Sequence, residues 1–355
     1  NNGAALQPTT ACLDKKVLKA FFNTALADRQ NVVLQAAALA DPGEEFARSV
    51  AKGLASSPRE LECRFLYDAR GSALYEKICS QPEYYPTRTE ESILKKWAAN
   101  ISGLTGPCTL IELGSGSSVK TSHLLSAYQT QYNHVCYTPI DISSSALKDA
   151  GRAIAEQHPG VQIVGIHGTY SDSFPLIQCA SPALVIFLGS TLGNFTPAEE
   201  ELFWTDLSAH MRSGDYFLLG VDLLKDPHLL EAAYNDAAGV TAKFTLNYFA
   251  RMNRELGAGL DLDRLSHQAL FNPEKERVEI FTRFDEAQTI RIKPLQKSYA
   301  IAGGERILLE ISRKFSLAGV KDTLCGYGLH PVRTYTDDRG WFGLILLEKR
   351  EGANR

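Results

Sequence analysis

The chain has 355 residues, above the size at which one hydrophobic core usually stops growing, so one large domain or two is expected. Lys and Arg total 37 against 41 Asp and Glu, a formal charge of −4, which excludes a general attraction for phosphate backbones and speaks against a nucleic-acid partner. No apolar run approaches the about 20 residues that a membrane-spanning helix needs, and the opening NNGAALQPTTACLDKK lacks a charged-then-apolar secretory pattern. The seven cysteines, at 12, 63, 79, 108, 136, 179 and 325, form no C-x-x-C pair, and the histidines do not cluster with them. That pattern suits a reducing, cytoplasmic setting and gives no reason to expect a metal.

In chain order, the first ninety or so residues read as helices, with apolar residues at helical spacing over Lys15 to Ala27 and Phe46 to Ser56. An aromatic-rich stretch follows, CRFLYDARGSALYEKICSQPEYYP, ending in a proline stop at Pro86. From residue 109 apolar runs alternate with amphipathic stretches. Thr109 to Leu113, Val135 to Ile142, Val161 to Ile166, Ala183 to Leu188 and Tyr216 to Val221 are predicted strands. Thr196-Pro197-Ala198-Glu199 is a helix start with a capping box. Strands alternating with helices imply right-handed βαβ units and a mostly parallel sheet. The alternation then breaks. A helix is predicted around Leu229 to Asn253, followed by the period-2 stretches RVEIFTRF and QTIRI, an α+β segment. After Phe315 come a helix and a terminal hairpin turning across Asp337 to Gly340. The boundaries expected are a sheet domain of 89–223 plus 315–355 and a second domain of 1–88 plus 224–314.

The sharpest local signal is Ile111-Glu112-Leu113-Gly114-Ser115-Gly116-Ser117-Ser118, which closes the first strand of the alternation and opens a helix. Glycines let the backbone turn and approach a ligand. The next strand ends in Ile140-Asp141, where a carboxylate can accept both ribose hydroxyls of an adenosine. A dinucleotide fingerprint would need a third Gly, and Val119 stands there instead. The pattern suits S-adenosylmethionine better; a dinucleotide site and a plain tight turn are the alternatives. The fourth strand of the alternation runs into FLGSTLGNFTP, which places Asn194 beyond a carboxyl end, where an acceptor would sit.

The strings FLYDARGSALYEKICSQPEYYPTRTE, IELGSGSSVKT, FLGSTLGNFTP, AAYNDAAGVTAKFTLN and LLEISRKF together resemble the EgtD-type histidine-specific Nα-methyltransferases of ergothioneine biosynthesis. The resemblance spans about residues 60 to 350. It implies an α/β fold: a Rossmann-like class I methyltransferase sheet with a C-terminal antiparallel hairpin, plus a discontinuous α+β substrate-binding domain. It also implies three methyl transfers from S-adenosyl-L-methionine to the α-amine of free L-histidine, giving hercynine. The family's cofactor positions fall on Gly114, Gly116, Lys120 and Asp141. Thr169 stands where the family usually has an acid for the adenine amine, and Tyr170 follows where an aromatic stacks on the ring. Tyr84, Asn194 and Tyr234 match the groups that grip the substrate carboxylate. Tyr67 and the backbone of Gly189 match those near the amine. Glu310 and Ser312 match the imidazole-binding pair, and Ile280 stands where a Met often lines the pocket.

Some of these residues can be weighed alone. Glu310 and Ser312 are one strand period apart, so they share a face among apolar neighbours; a solvent-facing edge would look the same. Tyr67, Tyr84 and Tyr234 would each pass for packing residues, and Asn194 for a turn cap. Only their joint match assigns them to a site. The alternatives are a sister methyltransferase of tryptophan or another aromatic amino acid and a non-catalytic donor-binding protein. Both halves read as self-contained, so a monomer is expected.

Overall fold

A computed structural model describes residues 7–8, 15–36, 41–116 and 119–351; Cys12, Ser117 and Ser118 lie outside the described residues. In chain order its elements begin with β1 (Gln7–Pro8), α1 (Lys15–Ala27), β2 (Val32–Gln35), α2 (Pro42–Ala55), α3 (Ala69–Cys79) and α4 (Tyr85–Thr105). The alternating region gives β3 (Thr109–Leu113), α5 (Thr121–Gln131), β4 (Val135–Asp141), α6 (Ser144–Gln157), β5 (Val161–His167), α7 (Tyr170–Ala180), β6 (Ala183–Phe187), α8 (Pro197–His210) and β7 (Tyr216–Asp222). There follow α9 (Pro227–Ala233), α10 (Val240–Leu256), β8 (Leu265–Asn272), β9 (Arg277–Phe284), β10 (Gln288–Ile292), β11 (Lys297–Ile301) and β12 (Arg306–Arg313). The chain closes with α11 (Leu317–Cys325), β13 (Leu329–Thr336) and β14 (Phe342–Lys349).

Nine strands form one sheet in the order β1-β2-β5-β4-β3-β6-β7-β14-β13. The pairs from β1 to β7 are parallel, and β14 runs antiparallel to both β7 and β13. Its central strands read as continuous apolar runs because helices cover both faces. One face packs Phe22 of α1, Phe174 of α7 and Trp204 of α8; the other packs Leu94 of α4, Leu124 of α5 and Ile154 of α6. Strand order reverses between β3 and β6, and that switch point opens a crevice at their carboxyl ends.

The second layer is an antiparallel sheet β12-β9-β8 with the hairpin β10-β11. These share a core with α2, α9 and α10 through Phe46, Leu230, Phe249 and Phe284. A β-bulge interrupts β12 between Leu308 and Glu310: Leu308 pairs with Phe281 and Glu310 with Ile280, leaving Leu309 extra.

Three expectations need correction. Residues 32–35, expected in a helical segment of the second unit, form β2 and pair with β5, Val32 opposite Val164. Asn31-Val32-Val33-Leu34 is short and β-branched, and α1 before it packs on the sheet core. Residues 15–36 therefore belong with the sheet rather than with the rest of 1–88. The helix expected from Leu229 to Asn253 is two helices. Asp236 accepts the Val240 and Thr241 N–H groups at 2.7 and 2.8 Å, and Gly239 takes φ +67°, which restarts the chain as α10. Tyr234 thus sits at the end of α9, not within a helix.

Asp68 ties α3 to α10. Its carboxylate caps α3 through the Gly71 N–H (2.7 Å) and accepts from Asn247 (2.8 Å) and Arg254 (2.7 Å). Burial opposes its charge, but these donors hold its pKa below the usual value. Asp68→Ala should cost about 1–2 kcal/mol in urea unfolding at pH 7, the scale of a lost N-cap. A carboxylate with a depressed folded pKa stabilises above its unfolded value and loses that contribution as pH falls through the folded one. The difference between variant and wild type should therefore shrink below about pH 4.

Candidate active site

On the donor side, Gly114 and Gly116 take positive φ (+69° and +48°) as the chain leaves β3. The Gly114 N–H is held by the Ile140 carbonyl at 2.8 Å, which pins the loop to β4. A Cβ at Gly114 would stand 2.7 Å from the Tyr170 hydroxyl, and at φ +69° any other residue would be strained; a Cβ at Gly116 would meet nothing within 4 Å, so the loop opens to space on that side. Asp141 ends β4 with its carboxylate accepting from the Gly116 N–H (3.2 Å) and the Ser143 N–H (2.8 Å). Burial raises its pKa and these bonds oppose the rise. The glycine turn and Asp141 are thus brought together, as an adenosine ribose requires, and the fit to S-adenosylmethionine holds. Beneath them Glu112 is buried and accepts from the Thr121 hydroxyl (2.6 Å) and from Tyr137; burial pushes its pKa up to about 7.

Tyr170 packs edge-on against Phe187 with ring centroids 5.6 Å apart. Thr169 caps α7: its hydroxyl donates to Asp172 at 2.6 Å and accepts the Asp172 N–H at 3.3 Å. The hydroxyl is committed to the helix, and the nearby acid is Asp172. Lys120, at the start of α5, is ion-paired with Glu90 of α4. Glu90 is fully buried and also accepts the Gly189 N–H at 2.8 Å. Its carboxylate fits because Gly220 has no side chain to fill the space. Gly189 (φ +76°) and Ser190 (φ +55°) turn the chain sharply off β6. With the Gly189 N–H committed to Glu90, its carbonyl is the backbone group that can address an amine.

On the acceptor side, the turn after β6 carries Asn194, whose amide donates to Glu310 Oε1 (2.9 Å) and to the Ile311 carbonyl (2.8 Å). Burial pushes the Glu310 pKa up to about 7, against the Asn194 bond and the charge of Lys314. Two residues on, the Ser312 hydroxyl meets the Tyr234 hydroxyl at 2.8 Å. Tyr84 stands edge-on to Tyr234 (5.9 Å) and to Tyr75 (6.4 Å). Tyr67 closes the row against Tyr75 (5.5 Å) and Phe244 (5.3 Å). Ile280 is buried directly across the strand pair from Glu310. The acceptor residues expected from sequence therefore form one polar-lined aromatic cluster at the crevice mouth.

Sequence reading missed three buried charges, Lys314, Asp222 and Glu90. Lys314 and Asp222 form an ion pair at 2.8 Å beside Tyr234, with Tyr85 donating to Asp222 at 2.9 Å and Lys225 at 2.6 Å. Lys314 continues the period of Glu310 and Ser312, and Asp222 ends the apolar run YFLLGVD. Glu90 lies on the apolar face of α4, between Pro86 and Ile93. Each was a charge on a buried face, which is the signal that could have found it.

The profile of the histidine-specific, SAM-dependent methyltransferases matches residues 46–349. The chain belongs to this family. It is 42% identical over 303 residues to histidine N-alpha-methyltransferase of Mycolicibacterium smegmatis, covering 85% of this chain and 94% of that protein. It is 40% identical to the protein of the same name from Mycobacterium tuberculosis, with the same coverage. Ergothioneine biosynthesis protein 1 of Neurospora crassa is 30% identical over 82% of this chain but only 33% of its own length. Among solved structures, a possible exported protein from Bordetella parapertussis aligns over 96% of this chain and 98% of its own at 13% identity and TM-score 0.45. The glycopeptide N-methyltransferase MtfA with S-adenosyl-L-homocysteine aligns over 72% and 86% at 12% identity and TM-score 0.36. Likenesses that distant say nothing about chemistry. Among the described residues, no helix of this methyltransferase is long and apolar enough to cross a membrane.

Asp141→Ala should weaken S-adenosylhomocysteine binding by about 1.5–3 kcal/mol, the scale of a hydrogen bond to a charged group. Calorimetric affinity equal to wild type would place the ribose elsewhere.

Proposed function

We propose that this protein transfers three methyl groups in succession from S-adenosyl-L-methionine to the α-amino nitrogen of free L-histidine, giving hercynine, an early step of ergothioneine biosynthesis. The observation that carries the reading is the placement of Glu310 and Ser312 two residues apart on one face of β12, beside Asn194 and Tyr234. A carboxyl and a hydroxyl at that spacing can address the two nitrogens of an imidazole. Tyr84, Asn194 and Tyr234 are assigned to the α-carboxylate, with Asn194 releasing a bond to Glu310 or Ile311 to reach it. Tyr67 and the Gly189 carbonyl are assigned to the amine, and Ile280 to the pocket wall. Gly114, Gly116, Lys120, Asp141, Thr169 and Tyr170 are assigned to the donor.

The bound donor supplies an electrophilic methyl group on a sulfonium. The chain's own part is to hold the amine lone pair in line with the S–CH3 bond and to keep water out. The nitrogen lone pair forms the new N–C bond, and the electron pair of the broken C–S bond stays on sulfur. A proton must leave nitrogen before each transfer, and Tyr67 is placed to orient the amine or a water that carries it away. Tyr67 is no strong base: the residue is 39% exposed, but desolvation on the cluster side and the nearby Glu310 charge still raise the hydroxyl pKa above the usual tyrosine value. With carboxylate and ring fixed at two points, rotation about the remaining bond presents the nitrogen for each transfer.

The division of labour proposed is a donor unit of 89–223 and 315–355 together with 15–36, and an acceptor unit of 41–88 and 224–314. We place the protein in the cytoplasm as a monomer.

Incubation with S-adenosylmethionine and single amino acids, read by mass, should show three methyl additions on histidine. Histamine, which lacks the carboxylate, and a peptide with an internal histidine should be poor acceptors. Equal turnover of histamine and histidine would overturn the carboxylate assignment. Glu310→Ala should lower kcat/KM for histidine by about 1.5–3 kcal/mol, roughly 10- to 150-fold, by leaving a ring N–H unpaired in a dry pocket. Tryptophan turnover should fall less, or rise, because the carboxylate opposing an indole is gone. Equal losses for both amino acids, with normal S-adenosylhomocysteine binding, would mean that Glu310 does not read the ring.

A further inference from the structure

Lys314 is buried at the end of β12, and its ammonium has three protons and three acceptors. They are Asp222 Oδ2 at 2.8 Å, the Tyr234 hydroxyl at 2.9 Å and the Ser312 hydroxyl at 2.9 Å. Burial works against its charge, but Asp222 raises its pKa above the usual lysine value, so it stays an ammonium. An ammonium cannot accept, so both hydroxyls must accept from it. The two hydroxyls also meet each other at 2.8 Å, and one of them donates across that contact. Of their two protons, one is consumed there and a single proton is left to point outward.

We propose that Lys314 is a positioning residue that fixes the direction of the hydroxyl protons in the acceptor pocket, so that the imidazole is bound only together with one extra proton shared between the ring and Glu310. The inference rests on the pocket assignment given under Proposed function. If Tyr234 donates to the α-carboxylate, its proton is spent and Ser312 must donate to Tyr234. Ser312 then accepts from Lys314, donates to Tyr234 and keeps one lone pair for the ring, which can only accept an N–H. The other ring nitrogen faces Glu310. A neutral ring offers a lone pair there, and a carboxylate offers another. One proton has to stand between them, either on Glu310 or on the ring as imidazolium.

The groups around Glu310 agree with this. Cys63, Tyr67 and Tyr75 of the N-terminal segment lie within reach of its charge, and desolvation together with that charge raises the pKa of each, so none brings a charge. Asn194 is a neutral donor, and Lys314 is the cation just past the end of its own strand. Around Lys314 stand Asp222, Tyr234 and, on the far side of Asp222, Lys225 and Tyr85. The Glu310 carboxyl, with its pKa pushed up to about 7, can take a proton near neutral pH.

The test is calorimetry of N,N,N-trimethyl-L-histidine binding at pH 8 to protein saturated with S-adenosylhomocysteine. It is run in two buffers of different ionisation enthalpy. The quaternary nitrogen carries no proton, so buffer-dependent heat counts only protons taken up by the ring and the pocket. A free imidazole titrates near 6.5, so wild type should take up about one proton per ligand. In Lys314→Met the hydroxyls no longer have to accept from an ammonium. Ser312 can then donate to the ring, and uptake should fall toward zero while histidine KM rises more than kcat falls. The double variant Lys314→Met with Asp222→Asn removes the carboxylate that the first variant leaves unpaired, and should show the same loss of uptake. S-adenosylhomocysteine affinity, read in the same instrument, certifies each fold. Uptake near zero in wild type, or uptake of about one proton in either variant, would overturn the proposal. If wild type binds S-adenosylhomocysteine but neither histidine nor its trimethyl form, the functional reading falls and this inference falls with it.

Discussion

Lys314 and Asp222 meet at 2.8 Å with neither side chain reaching solvent, one from the antiparallel layer and one from the end of the ninefold sheet. Desolvating two charges costs several kcal/mol each, and their attraction offsets this only when the remaining donors and acceptors are also satisfied. Here they are. Tyr85 and Lys225 fill the rest of Asp222, and the Ser190 hydroxyl accepts the Asp222 N–H at 2.9 Å. The pair therefore locks together the turn after β6, the end of β7, the start of α4 and the last residues of β12. Those are the places from which the acceptor groups project. Breaking the pair by losing one partner would leave an uncompensated charge in the interior, so the junction of the two layers is held by geometry as much as by apolar contact.

A second buried charge works the same way on the donor side. Glu90 holds Lys120 and the Gly189 N–H at once, which couples the glycine-rich loop, the turn after β6 and α4. The two anchors lie on either side of the crevice at the switch point of strand order. One orders the edge beside the glycine-rich loop and the other the edge beside the aromatic cluster. Methyl transfer depends on the distance and angle between the two ligands.

Much of this was legible in the residues. The strands β3 to β7 and the terminal hairpin follow from apolar runs with clear boundaries, because a parallel sheet buried on both faces leaves a strong pattern. The glycine turn with Asp141 was legible for the same reason: tight turns and strand-end acids have few other uses. β2 was not, since four residues of Asn31-to-Leu34 character carry no period of their own and are fixed by the edge of β5. The break between α9 and α10 was hidden because the residues on either side keep helical spacing, and only Asp236 with Gly239 restarts the backbone. Tyr67, Tyr84 and Tyr234 look like packing residues because they are packing residues too, ring against ring. Glu90, Asp222 and Lys314 were overlooked because charge suggests surface, and the pairs Glu90–Lys120 and Asp222–Lys314 join residues far apart in sequence.

The bulge at Leu309 decides which way the polar row of β12 points. Glu310 and Ser312 stand opposite Ile280 and Val278, on the buried face of β9, and Ile307, on the other side of the bulge, stands opposite Thr282 on that same face. Ile307 and Glu310 are three residues apart, so plain alternation without the bulge would put them on opposite faces; the bulge returns them to one. The orientation of the pocket is therefore encoded by a residue count, not by any residue's chemistry. Point substitutions along β12 can blunt the pocket but cannot turn it over. Deleting the bulged Leu309 would leave Ile307, Glu310 and Ser312 on one face in a regular ladder, whereas deleting the residue between Glu310 and Ser312 would split the polar row across the two faces. This strand is thus a stretch where a change of length is a different kind of event from a change of letter.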